Sequence, residues 1–188
     1  MEKTSNIAQT LHDESLMKLA IKGESWAFEQ LYDRYAPKLL KYVYRFTDEK
    51  SQAEDFIQET FLKLLEKPQA FDTERKFSTW IYTVAGNVCR NQLRNAGRRK
   101  LLNEQILFET NHGEMQSRID VKQLKEKLQT AFNTLNQKEQ EVFVLRFELE
   151  LSMKEISEIV GIPEGSVKSC LFYLLKKLAP HLKEFRYE

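Results

Sequence analysis

The sequence predicts an all-α protein built from two small helical domains, and three observations lead to this class. Long stretches of the 188 residues repeat apolar side chains at steps of three and four, which is the spacing of one buried helix face. Only four prolines and six glycines interrupt the chain, and we find no convincing alternation of apolar and polar residues. The helical spacing weakens over 97–118, which predicts a linker between a first domain, 1–96, and a second, 119–188.

The composition is that of an ordinary soluble globular protein, with 30% charged and 41% hydrophobic residues. The net charge of +1 does not by itself indicate nucleic-acid binding, so that function can be inferred only from local clusters of charge. No apolar run reaches the length of a membrane span, and Met1 opens no charged-then-apolar leader. We therefore expect a cytoplasmic protein, in which Cys89 and Cys170 are reduced thiols.

The first domain is expected to contain four helices. Their predicted bounds are 13–22, 24–46 with a bend at Pro37, 51–67 opened by a capping box of Ser51 and Glu54, and 78–95 opened by Ser78 and closed by Gly97.

In the second domain the periodicity resumes at Ile119, and Asn136 with Glu139 marks a further helix start. Ser152 and Glu155 form a capping box before a short apolar-periodic stretch, which Gly161 ends as a C-cap. A longer helix follows Pro163, so a short helix, a turn and a long helix stand in the order of a helix-turn-helix.

The long helix has two different faces. Its expected buried face is apolar: Val167, Leu171, Leu174 and Leu178. The opposite face carries lysines, small polar side chains and two aromatic rings, and it is the candidate DNA-reading face: Glu164, Ser166, Lys168, Ser169, Phe172, Tyr173 and Lys176. The alternative interpretation is a solvated surface helix of a plain helical bundle.

Two further stretches in the first domain carry signals. No acid lies between Arg75 and Asn103, while arginines, lysines and aromatic residues interleave, as suits phosphate binding and base stacking. The preceding segment 55–65 places Asp55, Gln58 and Glu59 on one side of a helix. Each stretch has an alternative interpretation as a merely solvated helix face.

Enzymatic activity is not expected. The sequence has no H-E-x-x-H, no glycine-rich phosphate loop, no G-x-S-x-G and no cluster of metal ligands, and its three histidines are isolated. We therefore predict no cofactor and no catalytic residue. Two hypotheses stay open: a protein that touches DNA with one surface and another protein with the next, and a simple helix-turn-helix regulator, although a regulator needs only the C-terminal half.

The segments resemble, in their order, the extracytoplasmic-function sigma factors of bacterial RNA polymerase, which belong to the sigma-70 family. The matching text is AFEQLYDRYAPKLLKYVYRF, AEDFIQETFLKLL, FSTWIYTVAGNVCRNQLR and, after the linker, LNQKEQEVFVLRFELELSMKEISEIVGIPEGSVKSCLFYLLKKL. The resemblance covers roughly residues 10–183. It implies a sigma domain 2-like bundle followed by a sigma domain 4-like helix-turn-helix.

The resemblance also implies roles for individual residues. The polymerase-binding positions of the family fall on Asp55, Gln58 and Glu59. The loop that captures a base flipped from the promoter −10 element falls on 71–76, which gives the candidate −10 residues Phe71, Asp72, Thr73, Arg75, Lys76, Asn87, Arg90 and Arg94. The second helix of the helix-turn-helix is implied to read the −35 element.

The partners implied by the resemblance are core RNA polymerase, promoter DNA and an anti-sigma factor clamped between the two domains. We expect no stable membrane insertion, while tethering through a membrane-bound anti-sigma partner stays open. The chain departs from the family pattern at Cys170, where relatives often carry arginine, and around Phe172 and Tyr173, near which relatives often carry a basic residue. Phe172 and Tyr173 are therefore expected to meet thymine methyl groups or sugar edges.

Overall fold

The computed structural model describes residues 11–47, 49–102 and 129–182. Most of these residues are helical and none of them lies in a strand, which confirms the all-α prediction. The chain divides into an N-terminal unit and a C-terminal unit after Leu102. The predicted domain boundaries stay a prediction, because residues 103–128, with most of the proposed linker and the start of the helix at Ile119, lie outside the described residues.

In the N-terminal unit, helices α1 (Asp13–Ile21), α2 (Ser25–Thr47), α3 (Lys50–Glu66) and α4 (Phe77–Leu102) pack around one core. A short 3₁₀ turn, Pro68–Ala70, follows α3. The apolar repeat of α2 buries one stripe of that helix, and the largest fully buried side chains of the unit are Leu16, Met17, Leu31, Leu39, Tyr42, Leu64, Phe77 and Ile81. Helix α2 continues through Pro37.

Three sequence-based helix ends in this unit are wrong. Ser51 does not cap α3: Glu49 precedes the helix in extended conformation, and the Ser51 hydroxyl donates to the Glu49 carboxylate at 3.0 Å. Ser78 lies inside α4, whose first N–H is capped from α1 instead. Helix α4 also passes through Gly97 to Leu102, because one glycine costs only about 1 kcal/mol in a helix and good helix formers follow it.

In the C-terminal unit, residues 129–133 are helical and are followed by α5 (Gln137–Phe143), a π-helical turn (Val144–Glu148), α6 (Met153–Val160) and α7 (Glu164–Leu182). Both expected helix starts are confirmed, since Asn136 with Glu139 and Ser152 with Glu155 form reciprocal capping boxes. Gly161 ends α6 at φ +74°, a left-handed conformation that glycine adopts at little cost.

Two side-chain contacts brace the helix-turn-helix. The Ser157 hydroxyl donates to the Ile162 carbonyl at 2.6 Å across the turn between α6 and α7. The Lys177 ammonium of α7 lies 2.6 and 2.8 Å from the two carboxylate oxygens of Glu139, which is only 8% exposed. Glu139 thus both caps α5 and holds α7 against it.

Candidate functional site

An acidic face runs along α3. Asp55 and Gln58 are exposed, and Glu59, one helical turn beyond Asp55, is partly exposed. Glu59 accepts hydrogen bonds from Lys63 at 2.7 Å and from Gln92 of α4 at 2.8 Å. The hydrogen bond from Lys63 is the largest influence on the pKa of Glu59 and lowers it, so the carboxylate is ionised at neutral pH.

Sequence reasoning missed an apolar member of this face. Leu62 is 56% exposed and lies three residues beyond Glu59 and seven beyond Asp55, which places it in the same row of α3. The buried side of α3 consists of other residues, among them Phe56, Ile57 and Leu64. The spacing of Leu62 from Asp55, seven residues along a helix, could have predicted that the two side chains lie on the same face.

The loop between the 3₁₀ turn and α4 has an aromatic floor and a polar rim. Phe71 is 3% exposed, and its ring centroid lies 5.4 Å from those of Phe77 and Trp80. On the rim, Asp72 accepts the Glu74 backbone N–H at 3.1 Å and pairs with Arg75 at 3.3 Å.

The predicted −10 residues of the loop therefore fall into two groups. Asp72, Arg75 and Lys76 are exposed together on the rim, and Thr73 is partly exposed beside them. The structure does not bring Phe71 to that surface: its ring lies in the floor that supports the loop.

The solvent side of α4 carries a row of polar side chains. Arg90 donates to the Asn87 amide oxygen at 2.7 Å, and Arg94 donates to Asn91 at 3.2 Å. These residues are three or four positions apart and so lie along one side of the helix. Asn87 and Arg94 are exposed and Arg90 is partly exposed, which leaves guanidinium groups at the surface for an anionic ligand.

All seven candidate −35 residues of α7 are exposed, while the four apolar residues predicted for the opposite face are buried. Phe172 is 64% exposed and Tyr173 57%, and their ring centroids are 5.4 Å apart. Lys168 and Lys176 stand one turn before and one turn after Phe172. The hydroxyl of Ser169 donates to the Gly165 carbonyl at 3.0 Å. The arrangement is an aromatic pair flanked by two ammonium groups.

The described residues hold no group of His, Cys, Asp and Glu side chains arranged to bind a metal ion. Among the same residues, no helix is both long enough and apolar enough to cross a bilayer.

Comparison with known proteins identifies both units. Residues 31–99 match the Sigma-70 region 2 family, and residues 125–178 match Sigma-70, region 4. The ECF RNA polymerase sigma factor SigW of Bacillus subtilis is 32% identical over 164 residues, which cover 81% of this chain and 87% of SigW. BldN of Streptomyces coelicolor, also an ECF RNA polymerase sigma factor, is 30% identical over 167 residues; the match covers 87% of this chain and 63% of BldN.

A solved structure supports the fold. The sigma factor RpoE of Bartonella quintana, crystallised with the anti-sigma factor NepR, is similar with a TM-score of 0.69 at 23% identity, over 85% of this chain and 98% of that chain. Both family matches fall on the units that carry the exposed faces described above. The chain therefore belongs to the extracytoplasmic-function sigma factors of the sigma-70 family, which direct promoter recognition by RNA polymerase and are not enzymes.

Proposed function

We propose that this chain binds core RNA polymerase through α3, opens the promoter −10 element with the loop before α4 and with α4 itself, and reads the −35 element with α7. One observation carries the proposal. The acidic face of α3 lies directly beside the basic helix α4 in the same unit, where Gln92 bonds to Glu59 at 2.8 Å. A regulator that only binds DNA needs no such acidic face.

The polymerase contact is assigned to Asp55, Gln58 and Glu59, and we add Leu62 because it is exposed in the same row of α3. Two carboxylates beside an exposed leucine suit a basic partner surface with an apolar centre, because an apolar anchor excludes water around charged contacts. Glu59 is already held in place by Lys63 and Gln92, so little side-chain freedom is lost when the partner binds.

The −10 contact is assigned to the loop rim and the outer row of α4. Exposed Asp72, Arg75 and Lys76 offer hydrogen-bonding groups to the edge of an unpaired base, with Thr73 beside them. Phe71 supports this rim from beneath and does not stack on the base. Arg90 and Arg94 hold the phosphates of the melted strand. Asn87, the first residue of this row, accepts a hydrogen bond from Arg90.

The −35 contact is assigned to the exposed face of α7. Glu164, Ser166 and Lys168 stand in its first turns, the part of a recognition helix that reaches base edges. Lys168 and Lys176 bind phosphates on either side of the aromatic pair. Phe172 and Tyr173 contact thymine methyl groups, which present an apolar surface in the major groove.

An anti-sigma factor is proposed as a further partner, and the cytoplasm as the location. The proposal draws on the family resemblance and on the relative RpoE, whose structure contains the anti-sigma factor NepR. The exposed faces of α3, α4 and α7 are surfaces that such an inhibitor can cover in competition with polymerase and DNA.

In vitro transcription tests the function. Purified protein is added to core RNA polymerase on a pool of promoters with random −10 and −35 elements, and transcripts are sequenced. We expect discrete start sites that share both elements. The Asp55→Arg/Glu59→Arg variant is expected to lose them, because it reverses two charges on the proposed polymerase face.

The matched control is Glu29→Arg/Asp33→Arg, which makes the same charge change on exposed positions of α2. It is expected to initiate as the wild type does. Sequence-specific DNA binding without polymerase-dependent initiation, unchanged by Asp55→Arg/Glu59→Arg, would favour the simple regulator over the sigma factor.

A further inference from the structure

The start of α4 is held by a residue far away in the sequence. The backbone N–H of Phe77, the first residue of α4, donates to the Glu14 carboxylate of α1 at 3.0 Å, across 63 positions of the chain. A carboxylate at a helix N-terminus satisfies a donor that has no partner within the helix and interacts favourably with the helix dipole. Glu14 therefore fixes the point at which the −10 loop ends and α4 begins.

A second contact joins α1 to the same loop. Lys18, one helical turn after Glu14, places its ammonium 3.6 Å from the Glu74 carboxylate. Both side chains are exposed, so this ion pair is weak by itself. The position of this ion pair matters more than its strength. Through Lys18 and Glu14, helix α1 contacts both the middle of the loop, at Glu74, and the residue that follows the loop, Phe77.

Helix α1 is itself anchored on α2. Asp13 accepts hydrogen bonds from Arg34, at 2.6 Å, and from the Tyr35 hydroxyl. Burial is the largest influence on the pKa of Tyr35 and raises it, so the hydroxyl keeps the proton that it donates. The Tyr35 ring also packs on Phe77 at a centroid distance of 5.2 Å. Phe77 is thus held through its ring by α2 and through its N–H by α1.

We propose that Glu14 is a positioning residue for −10 recognition: it holds the loop rim formed by residues 72–76 in the geometry that captures a flipped base. This inference rests on the proposed function of that loop. Base capture requires a preformed set of donors and acceptors, since ordering a loose loop during binding weakens affinity. Glu14 touches no DNA in this account and acts through the backbone of Phe77.

The test measures two DNA probes on the same holoenzyme. One probe is a fluorescent single strand that carries the non-template −10 sequence selected in the transcription assay, and the other is the selected −35 duplex. Glu14→Ala is expected to weaken single-strand binding about tenfold, because part of the binding free energy must then order the loop, and to leave −35 binding unchanged. Glu14→Gln keeps an acceptor oxygen and is expected to stay within about threefold of the wild type.

Further variants separate positioning from folding. Lys18→Ala removes only an exposed ion pair and cannot unfold the unit; we expect about twofold weaker −10 binding. Glu29→Ala, an exposed acid of α2, is the control and should change neither probe. The positioning role is wrong if Glu14→Ala binds the single strand like the wild type, or if Glu14→Ala and Glu14→Gln weaken both probes equally.

The same assay separates this inference from the function on which it rests. Arg75→Ala removes a side chain of the rim itself. If Arg75→Ala weakens single-strand capture while both Glu14→Ala and Lys18→Ala do not, only the positioning role fails. If the wild-type holoenzyme captures no −10 strand, the proposed function of the loop fails, and the inference fails with it.

Discussion

The two units position their functional residues in opposite ways. In the C-terminal unit, both ends of α6 are set by neighbours in sequence, since the Ser152–Glu155 capping box starts this helix and Gly161 ends it. One contact from farther away, between Glu139 and Lys177, holds α7. In the N-terminal unit, the start of α4 is set by Glu14, 63 residues away, and the floor of the −10 loop is an aromatic cluster that includes Tyr35 of α2. The proposed DNA-reading face thus lies on one helix with few supports, whereas the proposed base-capturing loop is held by several elements.

This difference predicts different responses to mutation. Apart from the Phe172–Tyr173 pair, whose rings pack together, changes on α7 should alter contacts one residue at a time, because the exposed side chains stand on one helix. The effects of changes around the −10 loop should depend on one another, because Phe77 of α4 contacts Glu14 of α1, Tyr35 of α2 and Phe71 of the loop.

The first prediction concerns the arginine row of α4. Arg90→Ala with Arg94→Ala should weaken open-complex formation about a hundredfold, because two charge-assisted phosphate contacts of about 1.5 kcal/mol each are lost. The loss should be similar on every cognate promoter, since phosphates carry no sequence information. The slope of log affinity for the −10 single strand against log salt should fall by about 1.4 in magnitude.

Lys41→Ala/Arg45→Ala serves as the control, because it also removes two positive charges, from exposed positions of α2 outside the proposed DNA row. Promoter-dependent losses for the Arg90/Arg94 pair, with an unchanged salt slope, would mean that these arginines read bases.

The second prediction concerns the Glu139–Lys177 brace, a long-range contact in the described part of the C-terminal unit. Glu139→Ala removes a helix cap and leaves the Lys177 ammonium without its carboxylate. We expect a loss of about 2–3 kcal/mol in the unfolding free energy of this unit. Denaturant unfolding followed by hydrogen exchange measures it.

The sequence supplies an internal control for that measurement. Both tryptophans, Trp26 and Trp80, lie in the N-terminal unit, so the fluorescence transition should not move. Glu158→Ala, which removes an exposed acid of α6, should leave both transitions in place. A shared shift of the two transitions would show that the units unfold together.

The same carboxylate predicts a dependence on pH. Burial by itself would raise the pKa of Glu139, but hydrogen bonds from Lys177 and from the Asn136 backbone outweigh it and lower the pKa below its usual 4.5. A carboxyl with a lowered folded pKa stabilises the fold above its unfolded pKa, and that contribution is lost as pH falls through the folded value. The C-terminal unit should therefore lose stability below about pH 4.5, and Glu139→Gln should remove part of this dependence.

The third prediction concerns the turn of the helix-turn-helix. Gly161→Ala should destabilise the C-terminal unit by about 1 kcal/mol, because an alanine at φ +74° is strained although a Cβ there meets no atom within 4 Å. Gly165→Ala is the matched control: it also has open space, but it lies inside α7, where alanine is favoured by up to about 1 kcal/mol. Thermal unfolding of both variants should shift in opposite directions; shifts of the same sign would contradict the role given to Gly161.

The fourth and smallest effect concerns the aromatic pair of α7. Replacing thymine with uracil in the selected −35 element removes one methyl group. We expect about fourfold weaker holoenzyme binding for each contacted thymine, corresponding to about 0.8 kcal/mol of apolar burial. The difference between thymine and uracil should vanish in Phe172→Ala/Tyr173→Ala and persist in Lys168→Ala. Equal binding of both probes by the wild type would exclude methyl contacts.

The same difference between the units explains which structural features could be predicted from the sequence. The all-α class, both C-terminal capping boxes, the Gly161 C-cap and the two faces of α7 follow from local patterns, and the structure confirms them. The caps expected at Ser51 and Ser78 were wrong. Glu49 takes the cap conformation in place of Ser51, and the distant Glu14 accepts the first N–H of α4 in place of Ser78.

Other features also depend on tertiary contacts. The burial of Phe71 follows from Phe77 and Trp80, whose approach no local spacing reveals. The π-helical turn at Val144–Glu148 likewise has no sequence signal that we recognise.

We propose that the two units read the two promoter elements independently of one another. The most direct measurement is sequencing of transcripts from a library with both elements randomised, using wild-type protein, Arg90→Ala/Arg94→Ala and Tyr173→Ala. For Arg90→Ala/Arg94→Ala we expect fewer transcripts with an unchanged sequence preference. For Tyr173→Ala we expect a changed preference in the −35 element alone. A change of the preferred −10 sequence in Tyr173→Ala, or of the −35 sequence in the arginine pair, would contradict this proposal.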